Sequence, residues 1–231
     1  VKTLRAVVRI AAVCAATTLL YPLFIVVRSR RPSIVRRWHA AVARILGIHI
    51  TVDGTPPRGA FLLVSNHLSY VDVVVLGGLI ETLFVAKADV RDWPALGPLA
   101  SSTGTVFIDR ESRRDAVRVT TLLRELVRGG RAIVVFPEGT STDGSDVLPF
   151  NTPLFEAAAD DALPVWYAAL RYAQPEVPWF GDATFTSHLR TLLRLPRIDV
   201  RVSFGGPLAP GDRKSLARAA REAIVALSSR A

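Results

Sequence analysis

The feature that most constrains this chain is a pair of short, unbroken apolar runs, Phe61–Val64 and Ala132–Phe136. Each is too short for a buried helix and has no polar residue to turn toward water, as in a strand covered on both faces. Segments of helical pattern separate such runs. Ile48–Val52 alternates apolar and polar, and Val71–Ile80 follows the first buried run as a helix. Leu83–Ala86 and Val106–Ile108 read as strands. Ala116–Arg128 carries apolar residues at 119, 122, 123, 126 and 127 and stops at Gly129-Gly130, a helix with its stop signal. Leu154–Ala159 reads as helix, Val165–Leu170 as strand, and Ser215–Leu227 as a closing helix. Ile198, Val200, Val202 and Phe204 alternate with polar residues, so that strand is covered on one face only. Strand-helix alternation of this kind predicts an α/β sheet sandwiched by helices. The Pro- and Trp-containing stretch 174–182 is the longest expected loop.

The N-terminus is different. Ile10–Val27 is an 18-residue stretch without a charged side chain, flanked by Arg9 and by Arg28, Arg30 and Arg31. That length barely spans a bilayer core. The readings are a spanning or half-inserted anchor, a cleaved signal peptide, or a buried core helix. The arginine flanks favour the anchor, and the basic stretch after the run argues against export. Pro22 is expected to kink or end a helix there. Ser33–Leu46 reads as an amphipathic helix with an apolar stripe of Val35, Trp38, Val42 and Leu46, stopped by Gly47. Its arginines, Arg36, Arg37 and Arg44, suit an anionic leaflet, and a helix packed on the domain fits equally well. The chain is thus expected to divide into membrane-anchoring helices over 1–47 and an α/β domain over 48–231.

Half of the 231 residues are hydrophobic, yet the net charge is +9. That balance suits anionic partners, whether nucleic acid, acidic cofactors or an anionic membrane surface, and composition alone does not choose among them. Aromatic-basic interleaving and zinc-finger spacing are lacking, so nucleic acid is not an expected partner. The single cysteine, Cys14, excludes an intrachain disulfide.

Three polar clusters follow predicted strands directly. In Asn66-His67-Leu68-Ser69-Tyr70-Val71-Asp72, an imidazole leaves a strand end and a carboxylate follows five positions later. Ligand sites of α/β sheets lie at such strand ends. A carboxylate on one ring nitrogen fixes the tautomer and lets the other nitrogen take a proton from a hydroxyl. Neither Ser65 nor Ser69 sits in a Gly-x-Ser-x-Gly turn, so the attacking hydroxyl can belong to the substrate. In Gly104–Arg110, the guanidinium of Arg110 can reach the same rim and hold a phosphate or carboxylate. In Phe136-Pro137-Glu138-Gly139-Thr140-Ser141, Glu138 is an acceptor for hydroxyls and Gly139 permits a tight turn. Each cluster alone is equally compatible with an ordinary turn.

Together, in order, these residues resemble the glycerolipid acyltransferase family, typified by 1-acyl-sn-glycerol-3-phosphate acyltransferases. The resemblance rests on Asn-His-x4-Asp at 66–72, Phe-Ile-Asp-Arg at 107–110, Phe-Pro-Glu-Gly-Thr at 136–140 and Leu-Pro-Val at 163–165, with Lys87 and Pro94-x-x-Gly97 between. It implies a mixed, mostly parallel sheet flanked by helices, with an N-terminal membrane-associated helical pair. It implies that His67 deprotonates the acceptor hydroxyl, that Asp72 orients His67, and that Arg110 and Lys87 bind acceptor phosphate. Glu138, Gly139 and Thr140 would line the acceptor site. No metal and no bound organic cofactor is implied; acyl-CoA or acyl carrier protein is a co-substrate. The expected location is the cytoplasmic face of the cell inner membrane.

The expected acceptor is 1-acyl-sn-glycerol 3-phosphate, giving phosphatidic acid. One departure bears on it. Many phosphate-using members carry Arg after Phe-Pro-Glu-Gly-Thr, and this chain has Ser141. The stretch Phe136–Phe150 and the later Trp179-Phe180-Gly181-Asp182 are similar to a subgroup that includes lyso-ornithine-lipid acyltransferases, which makes O-acylation of lyso-ornithine lipid the alternative. Outside acyl transfer, a thioester or ester hydrolase would release free acid, and a non-catalytic basic membrane-binding domain would dispense with His67 and Asp72.

Overall fold

The computed structural model describes residues 2–27, 31–109, 112–161 and 163–229. Helices α1 (Lys2–Val26) and α2 (Arg31–Leu46) lead into β1 (Ile48–Asp53) and β2 (Leu62–Ser65). Then come α3 (Val71–Leu79), β3 (Leu83–Lys87), α4 (Leu96–Thr103), β4 (Val106–Ile108), α5 (Arg113–Arg128) and β5 (Ile133–Val135). The chain closes with α6 (Glu156–Asp161), β6 (Val165–Tyr172), α7 (Phe185–Arg194), β7 (Ile198–Gly205) and α8 (Arg213–Ser228).

The seven strands form one sheet in the order β1-β7-β6-β2-β5-β3-β4. Only the β6–β7 pair is antiparallel; all other neighbours run parallel. The mixed, mostly parallel sheet flanked by helices is thus present. The apolar runs do what their composition requires. In β2, Leu63 faces one core, with α3, and Leu62 and Val64 face another, with α5 and α8. Val134 and its neighbours Ile133 and Val135 divide the same way in β5, and all three are fully buried. Burying each such side chain contributes about 1.5–3 kcal/mol, so these two strands anchor the sheet centre. Strand β7 buries Ile198, Val200, Val202 and Phe204 on one face and leaves Asp199, Arg201 and Ser203 only partly covered or exposed, as its alternation requires.

Helix boundaries shift where caps act. Helix α5 begins at Arg113, before the expected Ala116, because the Ser112 hydroxyl accepts from the Asp115 amide as an N-cap. Pro22 does not end α1, which runs on to Val26. Two helices, α4 and α7, lie where no element was expected. The stretch 174–182, expected to be the longest loop, lies in the connection 173–184, and the irregular stretch 136–151 is longer.

The stripe of α2 faces protein. Val35, Trp38 and Val42 are buried together against Val13, Leu20 and Tyr21 of α1 and Val74 of α3. Helix α1 packs on α2 and is tied to α7: the buried Arg9 donates to the carbonyls of Leu193, Leu195 and Pro196, the C-terminal end of that helix. The other side of α1 exposes Leu4, Val7, Val8, Leu19, Leu23 and Val26. Over Lys2–Leu23 its mean hydropathy is 1.7, and this one helix among the described residues is long and apolar enough to cross a membrane. At residue 47 the chain passes from α2 into β1 through Gly47, which holds a φ of +72° that favours glycine.

Candidate active site

The parallel strands β2, β3, β4 and β5 end at the same edge of the sheet, and the three sequence clusters leave from there. Asn66, the first residue after β2, sets the exit. Its amide nitrogen donates to the Leu170 carbonyl at 3.0 Å and its amide oxygen accepts from the Leu170 N–H at 2.8 Å. The side chain pairs with β6 as a strand backbone would, and it is buried.

The next turn is built around one buried carboxylate. Asp72 Oδ2 accepts from the backbone N–H of Leu68 at 2.7 Å and of Ser69 at 2.9 Å, and lies 2.8 Å from His67 Nδ1. Asp72 stands in the first turn of α3, where the helix dipole favours negative charge. A carboxylate only accepts, so Nδ1 carries the proton and Nε2 is the basic nitrogen. The imidazole stacks on Phe136, ring centroids 4.2 Å apart, and its side chain keeps 23% of its exposure. One face is therefore packed while Nε2 stays reachable, and among the described residues no protein hydroxyl is bonded to it.

Glu138 joins the second turn to the first. Its Oε1 accepts from the His67 N–H at 2.7 Å and its Oε2 from the Leu148 N–H at 2.9 Å. The residue is 7% exposed, with both oxygens engaged by backbone. Burial raises its carboxyl above the ordinary value, against the opposing pull of the Leu148 and His67 amides. Gly139 holds φ +81° and closes the Phe136–Gly139 turn through its N–H to the Phe136 carbonyl. Thr140 is exposed, and among the described residues its hydroxyl reaches only the Ser141 carbonyl. Lys87 sits at the end of β3 with its ammonium 2.5 Å from Asp89. Arg110 lies outside the described residues.

Several residues of this edge had no role in the sequence reading. Tyr172, the last residue of β6, donates its hydroxyl to Asp72 Oδ1 at 2.7 Å. Trp179 locks a distant loop onto the His67–Asp72 turn: its N–H donates to the Leu68 carbonyl at 2.7 Å, and its carbonyl accepts from the Ser141 hydroxyl. The Thr142 N–H donates to the His67 carbonyl at 3.0 Å. The Trp179 ring packs with Tyr70, Trp93 and Phe185 in an aromatic wall beside the turn. His188 closes that wall. Its Nε2 must donate to the Glu176 carbonyl, so its Nδ1 accepts from the Tyr70 hydroxyl, each at 3.1 Å. Trp179 was visible as part of a quoted motif; Tyr172 carried no signal short of the register between β6 and β2.

A hydroxyl presented to Nε2 of His67 can be deprotonated as it attacks a carbonyl, which is the chemistry of acyl transfer without a protein nucleophile. The comparisons identify the family. Residues 48–169 match the Acyltransferase family model, and the chain belongs to that family. Among its relatives is a protein of Brucella abortus named lyso-ornithine lipid O-acyltransferase, 39% identical over 212 residues that cover 82% of this chain and 79% of that one. A protein of the same name from Pseudomonas aeruginosa is 36% identical, covering 84% and 78%. A 1-acyl-sn-glycerol-3-phosphate acyltransferase of Neisseria gonorrhoeae is 27% identical over 77% of this chain and 72% of its own length. The crystal structure of the 1-acyl-sn-glycerophosphate acyltransferase PlsC from Thermotoga maritima superposes with a TM-score of 0.68, over 100% of this chain and 97% of that one, at 17% identity. That likeness is one of fold.

Proposed function

We propose that this protein transfers a fatty acyl group from an acyl thioester to the free hydroxyl of a lysolipid, and that its acceptor is lyso-ornithine lipid. The observation that carries the reaction is His67, held by Asp72 through Nδ1 with Nε2 open and no protein hydroxyl bonded to it among the described residues. The acceptor hydroxyl gives its proton to Nε2 as its oxygen attacks the thioester carbonyl. The tetrahedral oxyanion then collapses, the C–S bond breaks, and the imidazolium returns the proton to the leaving thiolate. Asp72 stabilises the imidazolium in between. No metal and no bound organic cofactor enters this reading; acyl-CoA or acyl carrier protein is the co-substrate.

For the acceptor, the sequence put 1-acyl-sn-glycerol 3-phosphate first. Two facts move the balance. Relatives named lyso-ornithine lipid O-acyltransferase reach 34–39% identity, while those named for the glycerol phosphate acceptor stand at 27–30%. Position 141 is a serine whose hydroxyl is bonded to the Trp179 carbonyl, so it supplies no charge for a phosphate. The exposed apolar face of α1 supports attachment to a membrane, and we place the enzyme at the cytoplasmic face of the inner membrane, where acyl thioesters are available.

The test is a purified full-length protein given a labelled acyl thioester and a panel of lysolipids, with products identified by mass spectrometry. Acylated lyso-ornithine lipid is expected, with His67→Ala lowering turnover by about 10³-fold or more while the protein stays folded. Free fatty acid as the main product would mean a hydrolase. Phosphatidic acid as the preferred product would return the acceptor to the glycerol phosphate class.

A further inference from the structure

Asp72 is fully buried, and its two oxygens are treated unequally. Oδ2 serves His67 Nδ1 and two backbone amides of its own turn. Oδ1 has one bonded partner among the described residues, the Tyr172 hydroxyl at 2.7 Å, which arrives from β6, 100 positions along the chain. The strand pairing sets its place: Leu62–Ser65 of β2 lies beside Val165–Ala168 of β6, and Tyr172 stands across from Val200 of β7. A buried carboxylate oxygen without a donor is costly, and a carboxylate held at one oxygen only can turn about its Cβ–Cγ bond.

We propose that Tyr172 is a positioning residue of the acyl-transfer reaction, which fixes the orientation of the Asp72 carboxylate and sets how strongly Asp72 holds the proton-bearing nitrogen of His67. The inference rests on His67 acting as the base. Burial first, then the charge of Asp72, push the Tyr172 phenol well above its ordinary value, so it remains a donor throughout the working pH range. Each proton has one place: on Tyr172 toward Oδ1, on Nδ1 toward Oδ2, and Nε2 is left to accept. A carboxylate that loses one donor attracts the remaining ones more strongly. Removing the Tyr172 hydroxyl therefore makes the His67 imidazolium more favourable, and His67 releases its proton at higher pH.

Tyr172→Phe keeps the ring and deletes the bond. In full-length protein assayed for acyl transfer, kcat is expected to fall about tenfold, the worth of one hydrogen bond to a charged group, with KM for both substrates within about twofold. The acid limb of the kcat/KM profile should move up by about one pH unit. Following the His67 imidazole by NMR through a pH titration reads the same shift without turnover, so the result stands whichever acceptor is used. An unmoved His67 titration with unchanged kcat, even alongside a lowered melting temperature, would overturn the proposal and leave Tyr172 a fold contact. A double-mutant cycle adds a second check. If Tyr172 acts through Asp72, adding Tyr172→Phe to Asp72→Asn costs no further activity, whereas full additivity contradicts that route.

Discussion

Replacing Glu138 by Gln changes one oxygen to an amide group and little else in shape. In the wild-type protein each carboxylate oxygen accepts a backbone N–H, from His67 at 2.7 Å and from Leu148 at 2.9 Å. Gln has a single acceptor, so its NH2 must face one of those two donors. Losing a bond to a charged acceptor costs about 1.5–3 kcal/mol. The carboxylate, however, is raised in pKa by its own burial, and the neutral amide escapes that penalty. The net effect on stability is therefore small, about 1–2 kcal/mol destabilising. Turnover should suffer more. The His67 amide is one of the two bonds at stake, and a shift of about 1 Å at a catalytic group can cost about 100-fold. The assay is a urea melt with steady-state kinetics on both substrates. The expected pattern is a modestly lowered midpoint, a large fall in kcat, and KM for the lysolipid within about twofold. The family resemblance instead suggests that Glu138 helps bind the acceptor. A raised lysolipid KM with kcat and the urea midpoint unchanged would refute the tether reading.

Two further predictions concern the packing of α2 on α3. His39 is buried between Trp38 and Phe84, its Nδ1 has no hydrogen-bond partner among the described residues, and desolvation lowers its pKa from about 6.5 to about 4. A depressed folded-state value means that its stability contribution is present above pH 6.5 and is lost as pH falls toward 4, about 3 kcal/mol in all. Urea midpoints of wild type and His39→Leu at pH 7 and pH 4.5 should converge or cross on acidification; a constant difference would contradict this. Gly77→Ala would place a Cβ 2.6 Å from His39 Nδ1. Overpacking at about 1–3 kcal/mol should outweigh the helix-propensity gain of about 1 kcal/mol, and an unchanged or higher melting temperature would show that the α2–α3 contact yields.

What was legible in the chain itself is what depends on neighbours in sequence. Leu62–Val64 and Ile133–Val135 lack any polar residue, so only a strand covered on both faces suits them, and the sheet centre follows. His67 and Asp72 lie five positions apart across a turn and the first turn of a helix, so local backbone geometry suffices to join them. The apolar stretch of α1 was equally plain. The α7 helix was missed because Phe185–Arg194 mixes Thr, Ser, His and Arg among its apolar residues, and its buried side, His188, Leu192 and Leu193, acquires meaning only against its neighbours. Likewise α4 contains Gly97 and Pro98, poor helix formers, and forms where Gly97 lets the backbone pass close to the Arg91 carbonyl. The direction in which the α2 stripe faces was open in sequence, since an apolar stripe suits a leaflet and a protein core alike; the packing of α1 and α3 decided it. At the active site, His67 and Asp72 were readable as a pair. That Asp72 has Tyr172 on its other oxygen, and that Glu138 holds the His67 backbone, was decided by strand register and loop closure over 100 and 71 positions. A sequence carries hydrogen-bonding capacity at every polar residue, but which donor meets which acceptor over such distances is settled only when the sheet is assembled.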